Sequence, residues 1–361
     1  MAVYEEKQTL EAPSSTKGFI HWAKENLFST PLNTLMTFMG IGLLYYIIPP
    51  FLDWAYFDAN FAGTTKAQCT GDGACWIFIK MKIDLFMYGF YPQEELWRLK
   101  TIVMLFVAMV IGFRFINKGS VKFSIITFYF ILSLILVTGG IFGLEHVSTD
   151  RWGGLMLTII VASVGIVFSF PIGIIVAFGR QSNLPIIRSV CVTYVEMIRG
   201  VPLITILFMS SVILPLFFPE GISFDKLLRA LIGITLFQAA YVAENIRGGL
   251  QSITKGQYEA ADAIGLSYWQ KMLLVILPQA LKVAIPNLVG AFISLFQDTT
   301  LVLIIGLFDL LSTVTIAAAD SNWLGMETEG YVFVTVIFWA FCYGMSRYSN
   351  KLEKQFDTNL K

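Results

Sequence analysis

Residues 250–282 read LQSITKGQYEAADAIGLSYWQKMLLVILPQALK. This amphipathic stretch lies between hydrophobic segments of membrane-spanning character, and its punctuation is dense. Thr254 followed by Gln257 has the spacing of a capping box, in which the hydroxyl meets a free N–H and the amide reaches back. Helix formers follow through Ala263 and Ile264, and Gly265 is placed to end the turn in a left-handed conformation. Ser267 with Gln270 gives a second capping box, and the helix it opens is expected to stop or kink at Pro278. The pattern reads as helix, glycine joint, helix. On the first helix Tyr258, Ala261 and Ile264 recur at helical spacing as a narrow apolar stripe beside Glu259 and Asp262. A groove on a partner protein or a lipid surface would each accept such a stripe, and the pattern alone does not choose.

Working outward, the 361 residues are 56% hydrophobic and 15% aromatic, with only 14% charged. Soluble domains carry about 25% charged residues, so the chain is short of solvated surface. Lipid accounts for the deficit, because several stretches approach the roughly 20 apolar residues that a spanning helix requires. Lys+Arg and Asp+Glu balance at 25 each, which gives no argument for nucleic acid. We expect an all-α polytopic membrane protein with about eight spans, near 32–52, 99–116, 123–143, 153–178, 189–218, 227–245, 284–308 and 330–346. Residues 1–30 are polar and mixed in charge and have no cleavable-signal pattern, so the first span is expected to be a permanent anchor.

Basic residues set the orientation. With the N-terminus inside, Arg114, Lys118, Lys122, Arg180, Arg188, Arg247, Lys255, Lys271, Lys282, Arg347, Lys351 and Lys354 all fall on the cytoplasmic side. Asp53, Asp58, Asp72, Glu145, Asp150, Glu220 and Asp225 then lie outside. Lys80, Lys82, Arg98 and Lys100 break the pattern within the long, aromatic-rich segment 55–98, which is expected to lie along the outer membrane surface. Both termini are expected in the cytoplasm. Cys69 and Cys75 bracket a flexible polar loop on the outer side, where a disulfide would form in an oxidising compartment; two free thiols are the alternative.

Charge at membrane depth costs at least about 2.5 kcal/mol, so each such residue invites a role. Asp298 is expected about 14 residues into its span, near mid-bilayer. There its carboxylate could meet an ammonium group, with Thr299 and Thr300 beside it, or else pair with a neighbouring helix. Glu196 with Arg199, and Glu244 with Arg247, are each three apart and can pair on a helix face as structural or gating pairs. His21 and His146 are isolated. No metal-ligand spacing and no nucleophile–base motif is present, which leaves an intramembrane enzyme without catalytic residues.

Four further motifs carry a resemblance. Glu259-Ala260-Ala261 with Gly265 and Ile276-Leu277-Pro278 resembles the EAA loop of ABC-importer permeases. The run AYVAENIRGG at 240–249, EMIRGVPL at 196–203 and DTTLV at 298–302 resemble the polar amino-acid permease subfamily. The likeness covers about residues 151–350, the type I permease core of five helices. Residues 1–150, with about three further spans, and the tail 351–361 complete a layout similar to the M-type subunit of general L-amino-acid importers.

The resemblance implies a permease subunit in a bacterial cytoplasmic (inner) membrane. It implies two copies of an ATP-binding subunit as partners, a second permease subunit in a heterodimer, and an extracytoplasmic amino-acid-binding protein that delivers the cargo. Glu259, Ala260, Ala261 and Gly265 would form the coupling helix held by the ATPase. Asp298, Thr299 and Thr300 would lie in the substrate path, where Gln297 stands in place of the Lys common in the family. No G-x-x-x-x-G-K-[ST] loop occurs, so ATP and Mg belong to the partner and no cofactor to this chain. An ion-coupled secondary amino-acid transporter is the alternative. It would carry its own coupling site and often an internal repeat, and it leaves the polar loop without a task.

Overall fold

The architecture comes from a computed structural model, which describes residues 18–219 and 224–357. Glu220 and both chain ends lie outside the described residues. Contacts divide the chain into two compact units, Met1–Ile77 and Phe78–Lys361.

In the first unit, α1 (Phe19–Asn26) precedes α2 (Pro31–Leu52), whose first turn is capped where the Thr30 hydroxyl accepts from Asn33 N–H at 3.1 Å. Pro49 and Pro50 remove two amide donors near its end, and the helix relaxes into a π turn over Asp53–Phe57. The following loop is tied by backbone bonds, Ala74 N–H to Trp54 O at 2.8 Å and Trp76 N–H to Asn60 O at 3.0 Å. Cys69 and Cys75 are joined as a disulfide with Cα atoms 5.6 Å apart. Gly73 is obligatory there, because a Cβ would stand 2.0 Å from the Asp58 carbonyl oxygen.

The second unit takes up the chain within α3 (Trp76–Tyr88), followed by α4 (Leu96–Gly112) and α5 (Gly119–Thr138). Phe78 and Phe86 are fully buried, with ring centroids 5.7 Å from Trp323 and 5.4 Å from Phe333. Segment 55–98 was expected on the outer membrane surface. Phe78, Phe86 and Tyr91 are instead core, where large rings bury the most apolar area, while Phe90 and Trp97 stay exposed. Arg98 explains its own break from the charge pattern. It is buried, ion-paired to Glu95 at 2.7 Å, and donates to the Glu145 carbonyl at 2.8 Å, so it staples loops rather than marking a side of the membrane.

The core is built on α6 (Gly154–Arg180), α9 (Lys226–Ser252) and α12 (Leu277–Asp298), which pack against one another. Between α6 and α9 lie α7 (Pro185–Arg199) and α8 (Leu203–Phe208); between α9 and α12 lie α10 (Lys255–Ala263) and α11 (Tyr268–Gln270). After α12, a two-residue strand at Phe308–Asp309 pairs in parallel with Gly153 and Gly154 and leads into α13 (Leu310–Ala318) and α14 (Glu327–Asp357). Gly173 lets α6 and α9 approach, since a Cβ there would meet the Val242 side chain at 2.4 Å.

Among the described residues six helical runs are long and apolar enough to cross a membrane, and α7 with the 203–217 segment makes a seventh if the bent pair is one span. Helix α4, at 17 residues, is the shorter eighth stretch, about 25 Å long against a hydrocarbon core of about 30 Å. Two expected spans change shape. The 189–218 span is broken by 106° at Gly200-Val201-Pro202, because Pro202 donates no amide hydrogen and disfavours helix at Val201. The 284–308 span begins earlier, as part of one helical run Tyr268–Ile305. Beyond the break, a π turn at Met209–Ile213 frees the Ser211 carbonyl, which accepts from the Arg229 guanidinium of α9.

Candidate functional site

The polar stretch that opened the sequence forms a hairpin joining α9 to α12. Its base is close-packed: a Cβ on Gly249 would lie 2.4 Å from the Ala280 carbonyl oxygen, so only glycine admits this approach of α9 to α12. Met272, Ile276 and Ala280 from the return arm are buried with Ala243, Ile246 and Leu250 of α9. Helix α10 ends in a Schellman arrangement, with Gly265 N–H bonded to Asp262 O at 3.0 Å and Leu266 N–H to Ala261 O at 3.2 Å. Gly265 adopts φ +78°, the left-handed conformation expected of it. Across the joint Lys271 Nζ meets Asp262 Oδ1 at 2.6 Å, an exposed ion pair that adds to the packing between the two arms.

Three local expectations need correction. Thr254 makes no side-chain cap; Gln257 instead turns to the return arm, where its Oε1 accepts from Gln279 Nε2 at 3.0 Å. At the second box Gln270 Oε1 does accept from Ser267 N–H, at 3.0 Å. Pro278 neither stops nor bends the helix to an end. A π turn over Lys271–Ile276 widens the backbone just before it, and α12 continues through Pro278 as an early helical position where no donor is required. The stripe divides as well. Tyr258 and Ala261 pack inward against the hairpin, while Ile264 is 74% exposed. Glu259, Ala260 and Gly265 face outward, and Ala261 does not.

Where α9 nears the hairpin, charges gather from three helices. Glu244 on α9 accepts from Arg247 Nε at 3.0 Å and from Arg247 NH2 at 2.5 Å, the expected pair. Glu196 and Arg199 do not pair with each other. Glu196 meets Arg180 at 3.0 Å, and Arg199 turns to Glu244 at 3.5 Å with its guanidinium 5.7 Å from the Tyr241 ring. Arg180, the last residue of α6, is the hub that sequence reasoning placed in a loop and passed over. It bonds Glu244 with one nitrogen and Glu196 with another, and its Nε is buried without a hydrogen-bond partner. The only available signal was its place at the end of an apolar run, facing a carboxylate 64 residues further on. Three guanidinium groups face two carboxylates and tie α6, α7 and α9 at one end.

Asp298 closes α12, where the helix tightens into a 3-10 segment over Thr299–Ile305 that ends at left-handed Gly306. The Asp298 carboxylate is half-buried. Thr299 is fully buried and donates to Phe296 O at 2.7 Å, so its side chain opens onto no path. Thr300 is partly exposed and donates to Gln297 O at 3.0 Å. Among the described residues no group of three or more His, Cys, Asp or Glu could hold a metal ion. His21 pairs with Glu25 at 3.1 Å, and His146 Nδ1 lies 3.1 Å from Thr138 O.

Residues 169–356 match the family of binding-protein-dependent transport system inner membrane components. The chain is 51% identical over 346 residues to the inner membrane amino-acid ABC transporter permease protein YhdY of Escherichia coli (strain K12), with 93% of each chain covered. It is 37% identical over 412 aligned positions to the glutamate/glutamine/aspartate/asparagine transport system permease protein BztC of Rhodobacter capsulatus, with 95% of each covered. A solved amino acid ABC transporter with histidines is 28% identical, covering 56% of this chain and 92% of its own, at a TM-score of 0.49.

Proposed function

Because the chain belongs to the family of binding-protein-dependent transport system inner membrane components, we propose that its hairpin is the element through which ATP hydrolysis drives import. The protein is a multi-pass permease subunit of an ABC importer, and ATP hydrolysis belongs to a partner subunit. We take the cargo to be amino acids handed over by an extracytoplasmic binding protein. Two ATPase copies, holding ATP and Mg, would grip this chain and a second, non-identical permease subunit. Both termini and the hairpin would face the cytoplasm, and the bonded Cys69–Cys75 loop would face the oxidising side.

One observation carries this reading: the outward face of α10 stands on a packed support. Glu259, Ala260 and Ile264 point away from the chain, while the packing between the two arms and the Gly249–Ala280 contact fix the angle of the helix. A rigid projection passes on a partner's movement, whereas a floppy one would absorb it. Movement received there enters α9 and α12 directly. The Arg180–Glu244 network then joins α9 to α6 and α7, so the helices respond as a group between two states of alternating access. Asp298 and Thr300 remain the substrate-path candidates, with Asp298 offering a carboxylate to the cargo's ammonium.

Co-purification tests the proposal. The intact complex should retain its ATPase subunit, and Glu259→Lys should release it while the permease stays inserted. Retention with normal transport-linked ATP hydrolysis would refute the coupling role.

A further inference from the structure

A groove of about 560 Å³ lies between the end of α6 with the 181–184 loop and the return arm of the hairpin. This volume is within the roughly 300–1,000 Å³ of small-molecule sites. It straddles the point where the span Gly154–Arg180 ends. On the span side its walls are apolar and outward-facing, with Ile175 69% exposed and Leu273 48% exposed. Just past the end of the span come the neutral polar groups Gln181, Ser182 and Asn183 at the turn, after which the chain doubles back with exposed apolar Leu184 and Ile187, and no residue lining the groove is charged. Trp269 forms part of the far wall, its ring 6.3 Å from Phe178. An amphipathic ring of this kind favours the level of lipid headgroups.

We propose that this groove seats a phospholipid, with an acyl chain along Ile175 and Leu273 and the phosphate against the amides and hydroxyl of Gln181, Ser182 and Asn183. The change from apolar to hydrogen-bonding walls at the end of a span matches the order of groups along a lipid. A non-helical protein segment would bring backbone N–H and C=O groups to a depth with nothing to satisfy them, while an acyl chain brings none. Trp269 and Leu273 belong to the return arm, so the seated lipid braces the hairpin from the membrane side and makes its stiffness depend on the bilayer. The site is distinct from the outward face of α10, and the inference does not depend on which partner that face meets.

The full complex, reconstituted with phosphatidylglycerol brominated mid-chain, carries its own reporter in Trp269. The difference in emission between the native chain and Trp269→Phe should be quenched in a saturable manner, approaching one lipid per chain. Ile175→Trp should fill the groove and abolish the saturable part. Ser182→Asp, which sets a like charge beside the phosphate, should weaken it about tenfold. Inorganic phosphate alone should not displace the lipid; displacement would mark an anion site and overturn the proposal. Quenching that only follows the bulk fraction of brominated lipid, or that is unchanged by Ile175→Trp, would also overturn it. Absence of quenching would mean that protein covers the groove.

Discussion

Gly248 and Gly249 stand side by side in α9, and alanine at each position probes opposite circumstances with the same chemistry. A Cβ on Gly248 would have no atom within 4 Å, whereas one on Gly249 would meet Ala280 O at 2.4 Å and Ala284 Cβ at 3.2 Å. Ordinary contact between carbon atoms is about 3.5–4.0 Å, so Gly249→Ala requires α9 and α12 to part by about 1 Å at the base of the hairpin. Such overpacking costs about 1–3 kcal/mol. Each variant also gains about 0.8–1 kcal/mol of helix propensity, and this cancels when the two are compared with each other. Gly248→Ala should therefore melt at or above the native protein. Gly249→Ala should melt about 2–12 °C below Gly248→Ala, from roughly 2–4 °C per kcal/mol. The measurement is loss of the folded fraction in detergent on heating, with both variants in one buffer. Equal melting points would refute the claim that α9 and α12 are in backbone contact beneath the hairpin.

Removing the shared carboxylate with Glu244→Gln leaves Arg247 without its ion pair and Arg180 with Glu196 alone, and should cost about 1.5–3 kcal/mol; Arg180→Lys, which keeps charge but loses the fork, should cost less, both read as detergent melting. Gly265→Ala must hold a Cβ at φ +78° and should lose about 1–2 kcal/mol of stability while uncoupling ATP hydrolysis from transport; full coupling would show that the joint tolerates a side chain. Asp298→Asn should change the preference among acidic, neutral and basic cargo in vesicle uptake, and unchanged kinetics for all three would remove it from the path. Cys69 and Cys75 should resist alkylation in intact cells until a reductant is added, and immediate labelling of both would count against a bonded loop.

Features decided by one or two neighbouring residues were legible in the sequence. Gly265 had to be the joint, because only glycine takes a left-handed turn without strain, and Gln270 could only reach back to Ser267. Long-range competition hid the rest. Gln257 abandons its local cap for Gln279, 22 residues away, and Glu196 abandons Arg199 for Arg180 on another helix. A local motif offers a bond, but a folded partner of similar strength and better fit can outbid it. Pro278 misled for a different reason: a π turn supplies the room that the proline ring needs, and no residue pattern announces one. The rings of Phe78 and Phe86 carry the same composition signal whether they face lipid or Trp323 and Phe333, so burial could not be read from them.

The charges of α9 also bear on how the chain is made. Of the most apolar stretch of α9, 61% is buried inside the protein, although the helix carries Arg229 and Glu244. Alone in lipid each charge would resist entry by about 2.5–3.5 kcal/mol at the bilayer centre. Glu244 has Arg247 beside it within α9, and from other segments the answering groups are Ser211 O for Arg229, and Arg180 and Arg199 for Glu244. Every one of these leaves the ribosome before α9 does. The order of synthesis thus stocks the membrane with counter-groups ahead of the segment that needs them, and α9 can enter by joining neighbours already in place.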